Sequence, residues 1–129
     1  MIDIKDAELI HQILIEKFGG NHGIRDRKLL ESALARPFQT FDKKDLYQSP
    51  IEKAAALLES ILINHPFIDG NKRTGYVLMR MLLINNDLDI SANEEEKYKF
   101  VISVSRGTLR WAGVIKWLNE KVVKIEPGI

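Results

Sequence analysis

The 129-residue chain contains no cysteine and almost no excess charge, with 19 Lys and Arg residues against 18 Asp and Glu residues. The absence of cysteine excludes disulfides and thiolate metal sites. A net charge of +1 argues against direct nucleic-acid binding, which depends on a concentrated basic surface. We therefore expect a domain that is stabilised by its apolar core alone.

Long apolar runs are also missing. No segment approaches the roughly 18 uninterrupted apolar residues that a membrane-spanning helix needs. The N-terminal sequence MIDIKDAE lacks the apolar stretch of a signal peptide, so we expect a cytoplasmic protein without a membrane partner. Hydrophobic residues still make up 45% of the chain, which is enough for one core at this length. We predict a single domain over residues 1–129.

Helical periodicity is present in six segments, whereas no run of alternating strand residues is convincing. The first helix is predicted from about Asp6–Phe18 and stops at Gly19-Gly20. The second begins at Asp26, a favourable N-cap, and ends before Pro37, which disfavours helical geometry in the preceding residue.

The segment Phe38–Gln48 (FQTFDKKDLYQ) has no helical period and mixes aromatic with charged residues. Such a composition suits an exposed hairpin or flap. Phe38, Phe41 and Tyr47 could equally anchor the segment under the body of the domain. Both interpretations stay open at this stage.

The third helix has the strongest start signal in the chain. Ser49 is placed as the cap, Pro50 at the first helical position and Glu52 as the second half of a capping box. The helix is apolar around most of its circumference and stops at Asn64–Pro66. We therefore predict that it is the central helix.

Three further helices complete the pattern. The fourth opens around Asn71 and ends at Asn85-Asn86. Ser91–Glu94 (SANE) is interpreted as the capping box of the fifth helix, Gly107 breaks that helix, and Thr108 is predicted to cap the sixth. The predicted fold class is all-α: a single domain of six helices with at most one short hairpin or flap.

One segment, His65–Arg73 (HPFIDGNKR), places a histidine, an acid and two bases between the two most apolar helices. Gly70 and Asn71 stand where a helix begins, and a helix N-terminus attracts anions through its free N–H groups and dipole. Lys72 and Arg73 in the first turn are each unfavourable there by about 0.3–1 kcal/mol. A bound phosphate offsets that cost, since Arg and Lys both bind phosphate well.

The acid and the histidine complete the predicted site. Asp69 repels a phosphate unless a Mg²⁺ ion lies between them, and Mg²⁺ is usually held by one or two carboxylates plus substrate phosphates. His65 is the nearby group that can accept a proton from a hydroxyl near neutral pH. Pro66 stiffens the bend, and Phe67 is predicted to plug inward. These residue types predict an enzyme that transfers phosphoryl or nucleotidyl groups.

HPFIDGNKRTG resembles the signature of the Fic/Doc superfamily, H-P-F-x-[D/E]-G-N-[G/K]-R, at every defined position. Lys72 is similar to the form found in death-on-curing (Doc) toxins, whereas adenylyl-transferring Fic enzymes have glycine there. The segments Gly23–Phe38, Glu52–Phe67 and Thr108–Leu118 also read like Doc-type chains. The resemblance covers essentially the whole sequence.

The resemblance implies a compact six-helix Fic fold with a flap over the active site. It implies the following site residues: His65 as the catalytic base with Arg73 beside it, Asp69 as the Mg²⁺ ligand, and Gly70, Asn71, Lys72 and Arg73 as the anion pocket. It further implies ATP or another nucleoside triphosphate as co-substrate and a threonine of elongation factor EF-Tu as the target, with arrest of translation. A Phd-like antitoxin is the implied partner.

Two features of the sequence distinguish between reactions known in this superfamily, and a third concerns how the protein is inhibited. Lys72 takes up the space of a second phosphate, so the nucleotide is expected to bind with its γ-phosphate in the anion pocket, which gives a kinase. Tyr76 stands where many adenylylating relatives have a second arginine. Ser91–Glu96 departs from the inhibitory pattern [S/T]-x-x-x-E-[G/N], so inhibition by a separate partner is expected. Adenylyl transfer and a non-catalytic co-repressor that bridges antitoxin molecules are the alternatives.

The remaining polar and aromatic residues receive structural interpretations. His11 lies on an ordinary amphipathic helix, and His22 lies in the turn GGNHG, which lacks the lysine and the preceding strand of a phosphate loop. Arg80 is interpreted as a surface residue. Trp111 and Trp117 are interpreted as packing residues.

Overall fold

The computed structural model describes residues 2–126, in which six α-helices form the framework. The predicted all-α class is therefore confirmed. In chain order the helices are α1 (Ile4–Phe18), α2 (Arg27–Ala35), α3 (Pro50–Asn64), α4 (Asn71–Ile84), α5 (Glu94–Ser105) and α6 (Trp111–Lys121). Two antiparallel pairs of short strands accompany them: β1 (Thr40–Phe41) with β2 (Lys44–Asp45), and β3 (Leu88–Ile90) with β4 (Val122–Lys124).

Helix α3 lies at the centre of the fold, as its apolar circumference predicts. Every residue of Ala54–Leu62 is buried, and the helix packs against α2, α4, α5 and α6. A Cβ at Gly75 of α4 would lie 3.1 Å from the side chains of Ile61 and Leu62, so glycine there lets α4 approach α3 closely. Within residues 2–126, none of the helices combines the length and the apolar character that crossing a bilayer requires.

The starts of α2 and α3 agree with the sequence prediction. Asp26 caps α2 by accepting the N–H of Leu29 at 3.0 Å. Ser49 caps α3 by accepting the N–H of Glu52 at 3.1 Å, and proline occupies the first turn. The predicted capping box is only half formed in residues 2–126, because the Glu52 carboxylate does not accept the N–H of Ser49. These caps satisfy N–H groups that a helix leaves without an internal partner.

Two other helix starts were placed wrongly. α1 begins earlier than predicted because Asp3 is already a cap and accepts the N–H of Asp6 at 2.8 Å. The capping box of α5 is formed by Asn93 and Glu96 and not by Ser91 and Glu94. The Asn93 side chain accepts the N–H of Glu96 at 2.8 Å, and the Glu96 carboxylate accepts the N–H of Asn93. The run of three glutamates makes two registers of the box possible, and serine and asparagine are about equally favourable caps, so the local sequence does not decide between them.

The predicted cap of α6 is also wrong. The hydroxyl of Thr108 donates to the carbonyl of Ser103 at 3.0 Å, so it belongs to the end of α5. α6 begins at Trp111 after Arg110, whose side chain makes no capping hydrogen bond. A threonine beside a glycine can serve either helix, because its hydroxyl can donate as well as accept.

The β3–β4 pair was not expected from the sequence. Strands of three residues are too short to show the alternation on which a strand prediction rests. Arg80 of α4 donates from Nε and Nη2 to the Asp89 carboxylate at 2.8 and 2.9 Å, which ties α4 to β3. The interpretation of Arg80 as a surface residue is therefore confirmed, and its side chain forms an ion pair with Asp89.

The hairpin β1–β2 satisfies both interpretations of its segment. Phe41 is 78% exposed, whereas Tyr47 accepts a hydrogen bond from Arg36 Nε at 3.1 Å and anchors the segment. Lys53, in the first turn of α3, pairs with Asp45 at 3.2 Å. At 1.5 Å per residue this anchor lies about 17 Å from the opposite end of α3, where the motif lies. Coverage of the active site by the hairpin stays a prediction.

Candidate functional site

The loop His65–Gly70, called the motif loop below, joins the end of α3 to the start of α4. His65 itself terminates α3 in the left-handed conformation, with φ 48° and ψ 61°, and its side chain is exposed. A residue other than glycine adopts this conformation at a cost of roughly 1–2 kcal/mol. Such strain persists where surrounding contacts impose it, and it is frequent at functional sites.

Arg25 supplies those contacts. Its Nε donates to the carbonyl of His65 at 2.7 Å and its Nη2 to the carbonyl of Asn64 at 2.5 Å. Its backbone N–H donates to the carbonyl of Pro66 at 2.8 Å. The guanidinium thus satisfies carbonyls that the end of α3 leaves without a helical partner. The sequence analysis assigned Arg25 no role, because nothing local marks an arginine that acts on a loop forty residues away.

Phe67 and Asn71 close the motif loop. The ring of Phe67 is fully buried, which confirms the predicted inward plug. The side-chain amide of Asn71 binds both the N–H and the carbonyl of Phe67, each at 2.9 Å. Asn71 can therefore serve the predicted anion pocket through its backbone N–H, while its side chain is engaged within the protein.

The N-terminus of α4 is left open. Gly70 is the N-cap, with φ 73°, and it offers no side chain to cap the helix. Within residues 2–126, the backbone N–H groups of Asn71, Lys72 and Arg73 have no hydrogen-bond partner. The Lys72 and Arg73 side chains are exposed, and the Arg73 guanidinium lies 4.2 Å from the centre of the Phe18 ring. Free backbone N–H groups and two exposed cations at a helix start are features that can accept an anion.

Asp69 is exposed, yet its position is closely defined. Oδ2 accepts the N–H of Asn21 at 3.1 Å, Oδ1 accepts the N–H of Gly70 at 2.8 Å, and the backbone carbonyl bonds to His11 Nε2 at 2.8 Å. The N–H groups of Asn21 and Gly70 hold the pKa of the Asp69 carboxyl below its ordinary value. Asp69 is therefore a carboxylate at neutral pH and carries the negative charge that a cation would need.

The described residues hold no cluster of three or more His, Asp or Glu side chains that could bind a metal by themselves. A cation at Asp69 would therefore complete its coordination with oxygens from a ligand and from water, as Mg²⁺ commonly does.

A cleft of about 400 Å³ opens at the start of α4. Residues Asp69–Arg73 form one wall, and Tyr98 and Val101 of α5 contribute to the other. Tyr76 lines the same cleft, and burial raises the pKa of its phenol, which therefore stays neutral. His65 is not among the lining residues, so the structure gathers the predicted anion and metal residues in the cleft and leaves the predicted base outside its lining.

His11 is a residue whose role the sequence analysis missed. It is 3% exposed, its ring stacks on Phe67 with centroids 4.0 Å apart, and Nε2 bonds to the carbonyl of Asp69. The available signal was its place between Ala7 and Ile15 on the buried stripe of α1, because a buried polar ring needs a partner. That signal predicts a hydrogen bond but does not identify the partner.

A family model described as "Fic/DOC family" matches residues 1–83, which include the motif loop and nearly all of α4. The chain therefore belongs to the Fic/DOC family. It is also 42% identical over 76 residues to a curated protein named Toxin Doc from Mycolicibacterium smegmatis. The matched stretch covers 59% of this chain and 58% of the relative. The resemblance found in the sequence is thus confirmed at the level of the family.

Proposed function

We propose that this chain is a protein Ser/Thr phosphotransferase of the Doc type, which moves the γ-phosphoryl group of ATP or another nucleoside triphosphate to a hydroxyl of a target protein. We further propose that it acts as the toxin of a toxin–antitoxin pair. The observation that carries the proposal is the open start of α4, where unpartnered N–H groups and two exposed cations surround Gly70.

The charges at this helix start favour a polyphosphate. Both Lys72 and Arg73 stand at the positive end of the helix dipole, where a cation lowers helix stability. A phosphate that accepts the free N–H groups and pairs with both side chains reverses that effect. Positioning and charge stabilisation of this kind dominate phosphoryl-transfer catalysis.

The donor set at Asp69 fits Mg²⁺. The carboxylate is exposed and ionised, and each oxygen accepts one N–H, which leaves further lone pairs for a cation. When bound, Mg²⁺ would neutralise the charge that develops on the phosphate oxygens. Asp69 would hold the ion, and ligand phosphates and water would supply the other oxygens.

His65 is proposed as the general base. It accepts the proton of the target hydroxyl while the hydroxyl oxygen bonds to the γ-phosphorus and the bond from that phosphorus to its bridging oxygen breaks; the nucleoside diphosphate leaves. The exposed imidazole can meet a protein substrate, and the Arg25 contacts fix the backbone from which it projects.

Lys72 and Tyr76 favour phosphoryl transfer over adenylyl transfer. Lys72 places a long cationic side chain in the first turn of α4, where the resemblance to Doc-type chains implies a γ-phosphate. Tyr76 lines the cleft at the position where many adenylylating relatives carry an arginine, and its buried hydroxyl carries no charge. A neutral group there supports fewer phosphates than an arginine does.

The proposed partners follow from the family and from the relative named Toxin Doc. We propose a Phd-like antitoxin as the inhibitor and a threonine of EF-Tu as the acceptor, in a cytoplasmic setting. Because the match spans 58% of that relative, these partners belong to the proposal. Activity of the purified chain alone would exclude the alternative of a non-catalytic co-repressor.

The test is a label-transfer assay with purified EF-Tu. We expect label from γ-labelled ATP on the target; label from α-labelled ATP would instead identify adenylyl transfer. His65→Ala should reduce the rate by on the order of 10²–10⁴-fold, because it removes the general base. Lys116→Ala is the control, since Lys116 is an exposed residue of α6, a helix that does not line the cleft. Absence of both labels with the wild-type chain would overturn the proposed reaction and target.

A further inference from the structure

A loop outside the family motif donates a hydrogen bond to the exposed Asp69 carboxylate. The segment Gly19–Arg25, called the framing loop below, follows α1 and runs beside the motif loop. Ile24 pairs with Phe67, and the N–H of Ile68 donates to the carbonyl of Gly23 at 3.1 Å. We propose that the framing loop, together with His11, positions Asp69 for the cation of the transfer reaction. This inference rests on the proposed function.

Asp69 is fixed at three atoms. Asn21 N–H holds Oδ2, Gly70 N–H holds Oδ1, and His11 Nε2 bonds to the carbonyl oxygen. A carbonyl oxygen only accepts, so Nε2 of His11 must carry a proton in this arrangement. The carboxylate can therefore neither rotate nor shift without breaking a hydrogen bond, and its remaining lone pairs keep one direction.

Gly20 is the position where the framing loop approaches the carboxylate most closely. A Cβ at Gly20 would lie 2.8 Å from Asp69 Oδ2, which is closer than a Cβ approaches a non-bonded atom, and 3.1 Å from Ile15 Cδ1. Gly20 has φ +112° and the adjacent Gly19 has φ +89°, so both positions favour glycine for their backbone. A Cβ at Gly19, however, meets no atom within 4 Å. Only at Gly20 would an added methyl group displace Asp69.

The orientation of the Asp69 carboxylate affects how well the carboxylate can bind Mg²⁺. Mg²⁺ requires nearly ideal octahedral geometry, so a small displacement of its carboxylate weakens binding. Groups that hydrogen-bond to a metal-ligating side chain typically contribute a factor of about 10–100 to metal affinity. The framing loop supplies such a group through its backbone, which explains why no side chain in the segment marks the role.

The test compares Gly20→Ala with Gly19→Ala. Calorimetry measures the affinity of each variant for a non-hydrolysable ATP analogue, once with Mg²⁺ and once with EDTA. The ratio of the two affinities is the gain that Mg²⁺ confers. We expect Gly20→Ala to lower this gain by about tenfold or more and to leave the affinity in EDTA unchanged. Gly19→Ala should keep both affinities within about twofold of wild type, since it adds comparable backbone strain without the clash.

Each outcome has one meaning. Equal gains in the two variants would overturn the positioning role and leave the proposed function intact. A parallel loss in Mg²⁺ and in EDTA for Gly20→Ala alone would also overturn it, because general damage would then explain the effect. If the wild-type chain itself shows no gain from Mg²⁺, the proposed function fails and the inference fails with it.

A second variant keeps the inference testable if Gly20→Ala does not fold. His11→Phe retains an aromatic ring against Phe67 and removes the hydrogen bond to Asp69. We expect the Mg²⁺-dependent gain to fall again, while the thermal unfolding midpoint confirms a folded protein. His11→Gln can restore a donor near the Nε2 position and should recover part of the gain. An unchanged gain in His11→Phe would contradict the proposal.

Discussion

Helices α4 and α5 both begin at the same cleft, but their N-termini differ in capping and in the charge of the first turn. α5 is capped by Asn93 in a complete capping box, and its first turn carries Glu94, Glu95 and Glu96. α4 starts at a glycine without a side-chain cap, and its first turn carries Lys72 and Arg73. A side chain thus accepts the free backbone N–H groups at the start of α5, whereas no side chain does so at the start of α4.

Under the proposed function, the start of α5 is structural and the start of α4 binds a ligand. Carboxylates at the start of α5 complement the helix dipole and add local stability. Cations at the start of α4 oppose the dipole, so an external anion is needed to make that arrangement favourable. Substitutions that exchange the properties of the two starts should therefore change ligand binding at α4 and stability at α5.

The largest effect is expected for Arg73→Ala. The guanidinium is exposed and stacked on Phe18, so its loss leaves the core intact, while the anion loses its bidentate partner. We expect the transfer rate to fall by on the order of 10²–10³-fold. Arg106→Ala, at an exposed arginine that ends α5, is the matched control. Equal rates for both variants in the label-transfer assay would contradict the role of Arg73.

A smaller effect is expected for Lys72→Gln. The affinity for a nucleoside triphosphate should fall about tenfold, since a charged group contributes on the order of 1.5 kcal/mol to such a contact. The free energy of unfolding should stay equal or rise by up to about 1 kcal/mol, because a cation leaves the positive end of the dipole. Calorimetry and urea unfolding measure the two quantities. A lower free energy of unfolding with unchanged nucleotide affinity would contradict the proposed role of Lys72 in phosphate binding.

The mirror variant at α5 is Glu95→Lys. It removes an anion from the first turn and breaks the ion pair with Lys99, in which both side chains are largely exposed. We expect the unfolding free energy to fall by about 0.3–1 kcal/mol with nucleotide affinity unchanged. Loss of nucleotide binding in this variant would show that the two helix starts are not distinct in function.

The smallest effect is the acid dependence of the α5 start. Hydrogen bonds from Lys121 and from the Asn93 N–H lower the pKa of Glu96 below 4.5. Because the folded-state pKa is depressed, the stability from Glu96 is present above pH 4.5 and is lost as the pH falls through the folded-state value. The difference in unfolding free energy between wild type and Glu96→Gln should therefore shrink on acidification. A difference that grows below pH 4.5 would contradict this assignment.

The sequence predicts the framework well where local chemistry decides it. The caps at Asp26 and Ser49, the apolar circumference of α3 and the glycine before Asn71 each act on their own helix. The caps of α5 and α6 were misplaced where several candidate residues stood side by side. β3 and β4 were missed because three residues show no period.

The candidate site shows the same difference between features that the local sequence predicts and features that it does not. Phe67 and the open N-terminus of α4 follow from the motif itself. The parts that were missed act over long sequence distances: Arg25 on the end of α3, and His11 and Asn21 on Asp69. Backbone donors such as the Asn21 N–H leave no trace in residue type, so only the folded arrangement reveals them.

The central claim is that the start of α4 binds a nucleotide phosphate with its metal. The most direct measurement is a ¹⁵N NMR titration of the chain with Mg²⁺ and a non-hydrolysable ATP analogue. The account predicts that the amides of Asn71, Lys72 and Arg73 shift most and saturate together, because their N–H groups acquire an acceptor. Saturation with no shift at these three amides, or no shift anywhere in the spectrum, would contradict it.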